Sequence, residues 1–173
     1  RRLVNISVKD YLGKPKVLKH IHKGWRTGVD FSVTRMPALV DPYFLGLWLG
    51  DGTARLAQIT TGDNEIVDFV REYAKSIGAM VSVKPQKSNC VVVTIVSQLG
   101  VGRHGRGGTP IMNALHYYDL IQNKHIPYRY KTGTREERLA LLAGILDTDG
   151  HYGGKGYDLT QKSERLMDDV IFV

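Results

Sequence analysis

Apolar positions cluster into segments of two periods, and the breaks between them are marked by Pro, Gly and Asp. Asp41-Pro42 opens the sharpest of these segments: Pro42 suits the first turn of a helix, and Tyr43 to Leu49 is almost wholly apolar. Residues Arg55 to Thr61 alternate, with Ala57 and Ile59 on one side and Gln58 and Thr60 on the other, which predicts a strand. Asp63 can cap a helix whose apolar residues Ile66, Val67, Val70, Tyr73, Ala74 and Ile77 fall at helical spacing, with Gly78 as its stop. Val81, Val83 and Val91 to Val96 predict a strand pair around Pro85 to Asn89. A glycine-rich basic segment, Gly100 to Gly108, reads as a loop carrying Arg103, His104 and Arg106. Helices are predicted over Ile111–Leu120 and Thr134–Leu146. The first forty residues differ. Ser7 and Asp10 form a capping-box pattern ahead of Tyr11-Leu12. The basic stretch Lys14 to Lys23 has no strong period, and Met36-Pro37 and Asp41-Pro42 break the chain. Residues 1–42 therefore read as a connector.

Composition changes this picture modestly. The 173 residues are 42% hydrophobic and 24% charged, ordinary for a globular chain and enough to bury a core. The longest apolar runs fall short of the roughly 18 residues that a membrane span needs, and no N-terminal signal pattern is present. A single Cys90 excludes an internal disulfide framework and a multi-cysteine zinc site, which favours a reducing compartment, nucleus or cytosol. The formal charge of +7, from 24 basic against 17 acidic residues, suits a nucleic-acid partner and equally a solvated basic surface.

An internal repeat is more informative. Leu45-Gly46-Leu47-Trp48-Leu49-Gly50-Asp51-Gly52 matches Ala143-Gly144-Ile145-Leu146-Asp147-Thr148-Asp149-Gly150, 98 residues on (51 to 149). Downstream, Ile59-Thr60-Thr61, Ile66, Asp68 and Val70 match Leu159-Thr160-Gln161, Leu166, Asp168 and Val170, 100 residues on (59 to 159). An apolar helix ending in Asp-Gly, then a strand, then a capped helix, occurs twice. A carboxylate at a helix C-terminus opposes the helix dipole and needs a positive neighbour. Small residues Gly46, Gly50, Ala143, Gly144 and Thr148 permit close packing of the two helices. Packed in parallel, they bring Asp51 and Asp149 together with end-of-helix carbonyls, an oxygen-rich site suited to Mg2+. A calcium loop starting at Asp147 is ruled out, because His151 and Tyr152 stand where it needs an oxygen ligand and Gly.

Leu-Ala-Gly-Ile-Leu-Asp-Thr-Asp-Gly, residues 142 to 150, resembles the signature of the LAGLIDADG homing endonucleases, and Phe44 to Gly52 resembles a diverged first copy. Lys124-His125-Ile126-Pro127, with Gly133-Thr134-Arg135-Glu136 and Arg138-Leu139, resembles the segment before the second motif in endonucleases carried by inteins. Val4 to Leu12 resembles the stretch joining an intein's splicing part to its nuclease, with fungal nuclear inteins nearest. The resemblance implies an α+β fold of αββαββα-type repeats about a pseudo-twofold axis. Residues 1–42 would be the connector, 43–130 the first repeat, and 131–173 the start of a truncated second one. It further implies a monomer that makes staggered double-strand breaks in a long DNA site, joined to a splicing domain in the same precursor. Asp51 and Asp149 would hold Mg2+, with Gly50 and Thr148 completing the site, Mn2+ able to substitute, and Lys124 assisting as a catalytic residue. The saddle sheet and its surroundings would offer Arg55, Gln58, Thr60, Ser82, Lys84, Gln86, Lys87, Arg103, Arg106, Gln161 and Lys162 to DNA, and Gly46 and Gly144 would form the helix interface. The family's second lysine and an intein's terminal splicing residues are not in this sequence, so this stretch alone is not expected to splice. A nucleic-acid-binding or maturase-like relative without cleavage, and a structural insert within an intein, are the alternatives.

Overall fold

The nearly unbroken apolar stretch Phe44 to Leu49 becomes a helix buried on every side, and the rest of the molecule is arranged around it. The computed structural model describes residues 4–22, 28–31, 36–86, 89–98 and 108–173. In chain order these form α1 (Val8–Leu12), α2 (Lys16–Ile21), α3 (Pro42–Asp51), β1 (Gln58–Thr61), α4 (Asn64–Ser76), β2 (Ala79–Pro85) and β3 (Val91–Ser97). There follow α5 (Pro110–Tyr117), α6 (Tyr128–Lys131), α7 (Arg135–Asp149), β4 (Gly150–Tyr152), β5 (Tyr157–Leu159) and α8 (Glu164–Phe172).

Helix starts obey local chemistry. Asp41 accepts from the Phe44 N–H at the start of α3, and Asp63 from the Glu65 N–H at the start of α4. Thr134 and Glu137 close a reciprocal capping box on α7. Gly78, at φ 68°, occupies the left-handed region just past α4, where a side chain would be strained.

α3 and α7 lie side by side and parallel: Gly46 meets Leu141, Gly144 and Ile145, while Gly50, one turn on, meets Thr148. The three-stranded sheet runs β1-β3-β2, antiparallel throughout. Ile59, Val93 and Val83 share a row on its core face, covered by the Ile66, Val67, Val70 and Ala74 side of α4. The opposite face carries two rows, Gln58–Thr94–Ser82 and Thr60–Val92–Lys84. A separate hairpin, β4-β5, follows α7.

Several expected bounds shift. The strand expected from Arg55 begins at Gln58, because 53–57 fold into a turn: Thr53 N–H donates to Gln58 O, and the Trp48 indole N–H donates to Leu56 O at 2.7 Å. Ahead of this turn Gly52 forms an isolated antiparallel bridge with Ile59. The helix expected to reach Leu120 stops at Tyr117, where Asp119 takes a left-handed conformation, φ 54°. α7 continues past Leu146 to Asp149.

α1 and α2 bury no residue. Val29, Phe31 and Val40 tie the connector to the body. Buried Arg138 donates to Gly133 O, Val173 O and Val29 O, and its guanidinium lies 5.1 Å from the Phe31 ring centre. The Val40 amide donates to the Tyr130 hydroxyl, which donates back to Val40 O, so the end of the connector is part of the core.

Candidate active site

The repeat places Asp51 and Asp149 as the last residues of two parallel helices, and the glycines set how near those ends come. A Cβ on Gly46 would strike Leu141 O and lie 3.0 Å from Gly144 Cα; one on Gly144 would strike Tyr43 O and lie 2.7 Å from Leu47 N. One turn on, a Cβ on Gly50 would meet Thr148, and would lie 3.4 Å from Asp149 Oδ2. The carboxylates therefore share one small region. Partial burial, and then the charge of Asp149, push the Asp51 carboxyl up, while Lys124 opposes both. This repulsion, added to two helix C-termini pointing the same way, creates a demand for positive charge.

Lys124 meets part of that demand. Its ammonium donates to Leu49 O at 3.0 Å and to Gly50 O at 2.9 Å, and stands 5.3 Å from the Trp48 ring centre. It therefore caps the end of α3. Burial pulls its pKa down to about 8, against the opposing pull of Asp149 and Asp51. The segment delivering it turns twice through left-handed residues, Asp119 (φ 54°) and Gln122 (φ 57°), and is pinned by the Gln122 N–H donating to Ala54 O. Neighbouring His125 is buried with its Nδ1 2.7 Å from Asn123 O, a packing role.

Gln161, which the sequence groups with the DNA-facing residues, donates its side-chain amide to Asp149 Oδ2. Only its place in the repeat, opposite Thr61, marked it, and that gives no sign of a carboxylate partner. The Tyr43 hydroxyl, for which the sequence gives no sign, donates to Asp147 Oδ2 at 2.7 Å, two residues before the end of α7.

Two carboxylates and helix-end carbonyls are hard oxygen donors, and a small divalent cation that retains several waters fits such a set. Among the described residues no group of three or more His, Cys, Asp or Glu is placed to hold a metal. Of the expected supporting donors, Gly50 already gives its carbonyl to Lys124. The Thr148 hydroxyl shares its hydrogen between Gly144 O and Ile145 O, at 3.0 Å each.

Gln58, Thr60, Ser82 and Lys84 share the sheet face away from the core. Thr94, between Gln58 and Ser82, belongs with them although the valine-rich run around it concealed it. Arg55 is exposed in the turn before β1, and Gln86 and Lys162 are exposed just outside strands. Lys87, Arg103 and Arg106 lie outside the described residues, as does most of the glycine-rich segment expected to be a loop.

No family model matches the chain. Among curated proteins it is similar to the replicative DNA helicase DnaB of Mycobacterium intracellulare, 35% identical over 134 residues. That match spans 76% of this chain and 18% of the helicase. It is also similar to the homothallic switching endonuclease of Saccharomyces cerevisiae, 30% identical over 127 residues, 66% of this chain and 22% of that protein. The chain thus spans about a fifth of the length of these relatives. Among solved structures it resembles a variant of I-DmoI in complex with its target DNA in the presence of manganese, with TM-score 0.49 and 14% identity over 75% of this chain and 70% of that one. It also resembles mesophilic variants of the homing endonuclease I-DmoI, with TM-score 0.50 and 13% identity over 75% of this chain and 72% of that one. The second likeness shows the fold, which is the α+β LAGLIDADG fold.

Proposed function

We propose that this chain is the nuclease module of an intein, a site-specific endonuclease that hydrolyses both strands of a long duplex DNA site and leaves staggered ends. The observation that carries this reading is the placement of Asp51 and Asp149 at neighbouring ends of two parallel helices, with the Lys124 ammonium on the end of the first. Relatives as different as a helicase and an endonuclease, each matched over about a fifth of its length, support a module carried inside host proteins. The fold and the endonuclease relative support cleavage over simple binding.

Asp51 and Asp149 would hold Mg2+, helped by the carbonyls of Gly50 and Thr148, with Mn2+ able to replace it. When bound, such an ion polarises a phosphate oxygen and makes a coordinated water a better nucleophile. The chain's own residues do the rest. The sheet face of Gln58, Thr60, Ser82, Lys84 and Thr94 presents donors and acceptors to base edges in the major groove. Arg55, Gln86, Lys87, Arg103, Arg106 and Lys162 meet phosphates and set register. Lys124 supplies positive charge where the phosphorane becomes more negative, and Gln161 holds the Asp149 carboxylate in one orientation. Hydrolysis forms a bond from water oxygen to phosphorus and breaks one phosphodiester P–O bond at each strand. The module acts as a monomer, in the same precursor as a splicing domain, within the nucleus or cytosol.

The test is incubation of the chain with Mg2+ and a plasmid pool carrying randomised inserts, followed by sequencing of cut ends. Sequence-defined staggered breaks that vanish with Asp149→Asn support the reading. Binding of duplex DNA with no cut in Mg2+ or Mn2+ would overturn it in favour of a non-cleaving DNA-binding module.

A further inference from the structure

Asp169 lies on α8, off the two helix ends that form the site, yet it is buried to 8% exposure. A buried carboxylate is costly unless it is paired, and the apolar side of a short helix does not require one. Both of its oxygens are used. Oδ2 accepts from the Ile126 main-chain N–H at 2.8 Å, and Oδ1 from the Lys131 ammonium at 2.5 Å. One turn earlier on α8, the Arg165 guanidinium donates to Asn123 Oδ1 at 2.9 Å. The Asn123 amide donates in turn to Asp119 O and Oδ2, at 3.0 and 2.8 Å.

Lys124 sits between the two gripped residues, Asn123 and Ile126. Its long flexible stem carries several rotatable bonds, so the place of its ammonium depends on where its main chain is held. We propose that Asp169, assisted by Arg165, is a positioning residue for Lys124: α8 of the second repeat fixes the main chain at 123–126 so that the ammonium reaches the end of α3. Its consequence for catalysis rests on the nuclease reading above. The ion pair with Lys131 keeps the Asp169 carboxylate aimed, and the Ile126 bond transmits the position. One repeat thus holds the lysine that serves the other.

The test compares the chain with its Asp169→Ala, Asp169→Asn and Arg165→Ala variants by two readouts. The first needs no cleavage: the side-chain NMR resonance of Lys124 in lysine-labelled protein, identified by its loss in Lys124→Met. In Asp169→Ala it should move toward the position of a free lysine. In Asp169→Asn, whose amide oxygen still accepts from Ile126, it should stay near the wild-type position. The second is the single-turnover cleavage rate set against DNA affinity. Asp169→Ala should lower the rate about tenfold to a hundredfold with affinity little changed, and Asp169→Asn should recover most of it. Arg165→Ala breaks an exposed contact, folds regardless, and should shift the resonance and slow cleavage by a smaller factor. An unmoved Lys124 resonance in folded Asp169→Ala, or a rate loss matched by lost affinity, overturns the proposal. If Asp169→Ala does not fold, a wild-type resonance and rate in Arg165→Ala do the same. A displaced resonance in Asp169→Ala, in a chain that cuts no DNA, supports the positioning role and overturns the nuclease reading.

Discussion

Gly46 and Gly144 face each other across the two central helices so closely that neither has room for a Cβ. One on Gly46 would lie 3.0 Å from Gly144 Cα, and one on Gly144 would lie 2.7 Å from Leu47 N, besides striking a main-chain carbonyl in each case. Their lack of side chains lets main chain meet main chain, and that approach sets how far apart Asp51 and Asp149 stand.

Replacing Gly144 tests this. Alanine ordinarily gains ~1 kcal/mol over glycine inside a helix. Here the colliding atoms belong to the neighbouring main chain, which cannot swing aside, so the gain is overridden. We expect Gly144→Ala to be destabilised by about 1–3 kcal/mol and Gly144→Leu by more, as overpacking predicts. Cleavage should fall in both at temperatures where they remain folded. Thermal melting beside cleavage reads the result, and an unchanged melting point for Gly144→Ala would show that the helices do not depend on this contact.

Asp51→Asn and Asp149→Asn should each abolish double-strand cleavage and leave DNA affinity largely intact, since each removes a charge without changing shape. Metal-free Asp51→Asn should also be more stable at neutral pH. The folded pKa of Asp51 is raised above 3.8, so its charged form is disfavoured in the folded state and stability is lost as pH rises through that range. Asparagine removes the loss. Asp51 is exposed to solvent, so the gain is small and fades with salt. Urea melts at two salt concentrations, run beside a cleavage assay, measure both halves. A variant that still cuts both strands at the wild-type rate contradicts the role given to its carboxylate.

Lys124 should leave a signature in the pH dependence of stability. Its folded pKa is about 8, against an ordinary 10.5, so between those values the unfolded chain binds the extra proton. The contribution of Lys124 to stability therefore rises as pH increases from about 8 toward 10.5. Subtracting the melts of Lys124→Met from those of wild type, both metal-free, isolates it from other groups. A difference that is flat or falls across this window contradicts the buried, cap-forming position of the ammonium.

DNA affinity should fall steeply with salt. Roughly 5–8 phosphate contacts release condensed counterions, giving a log–log slope of about −0.9 per contact. Titration from low to physiological salt measures it, and a flat response would remove the duplex-binding surface from this molecule.

The pairing of Asp51 with Asp149 was legible in the chain because it is written as a repeat: two apolar stretches with small residues in register, each ending in Asp-Gly. Periodicity likewise marked α4 and the alternating faces of β1 and β2, since a side chain's face follows directly from its place in a helix or strand. What joins segments distant in sequence was not legible. The Lys124 ammonium on Leu49 and Gly50, 75 and 74 residues away, the Gln161 amide on Asp149, and the Asp169 carboxylate on the Ile126 amide have no local signature. A polar side chain takes its partner from whatever the fold brings within about 3 Å, and only tertiary packing decides that. The same holds for Arg55, which its alternation placed in a strand. The Trp48 indole bonding to Leu56 O and the Thr53 amide bonding to Gln58 O close a turn there instead. Local pattern could decide which residues face a core. How near two helix ends come was left to the packing of Gly46 on Gly144.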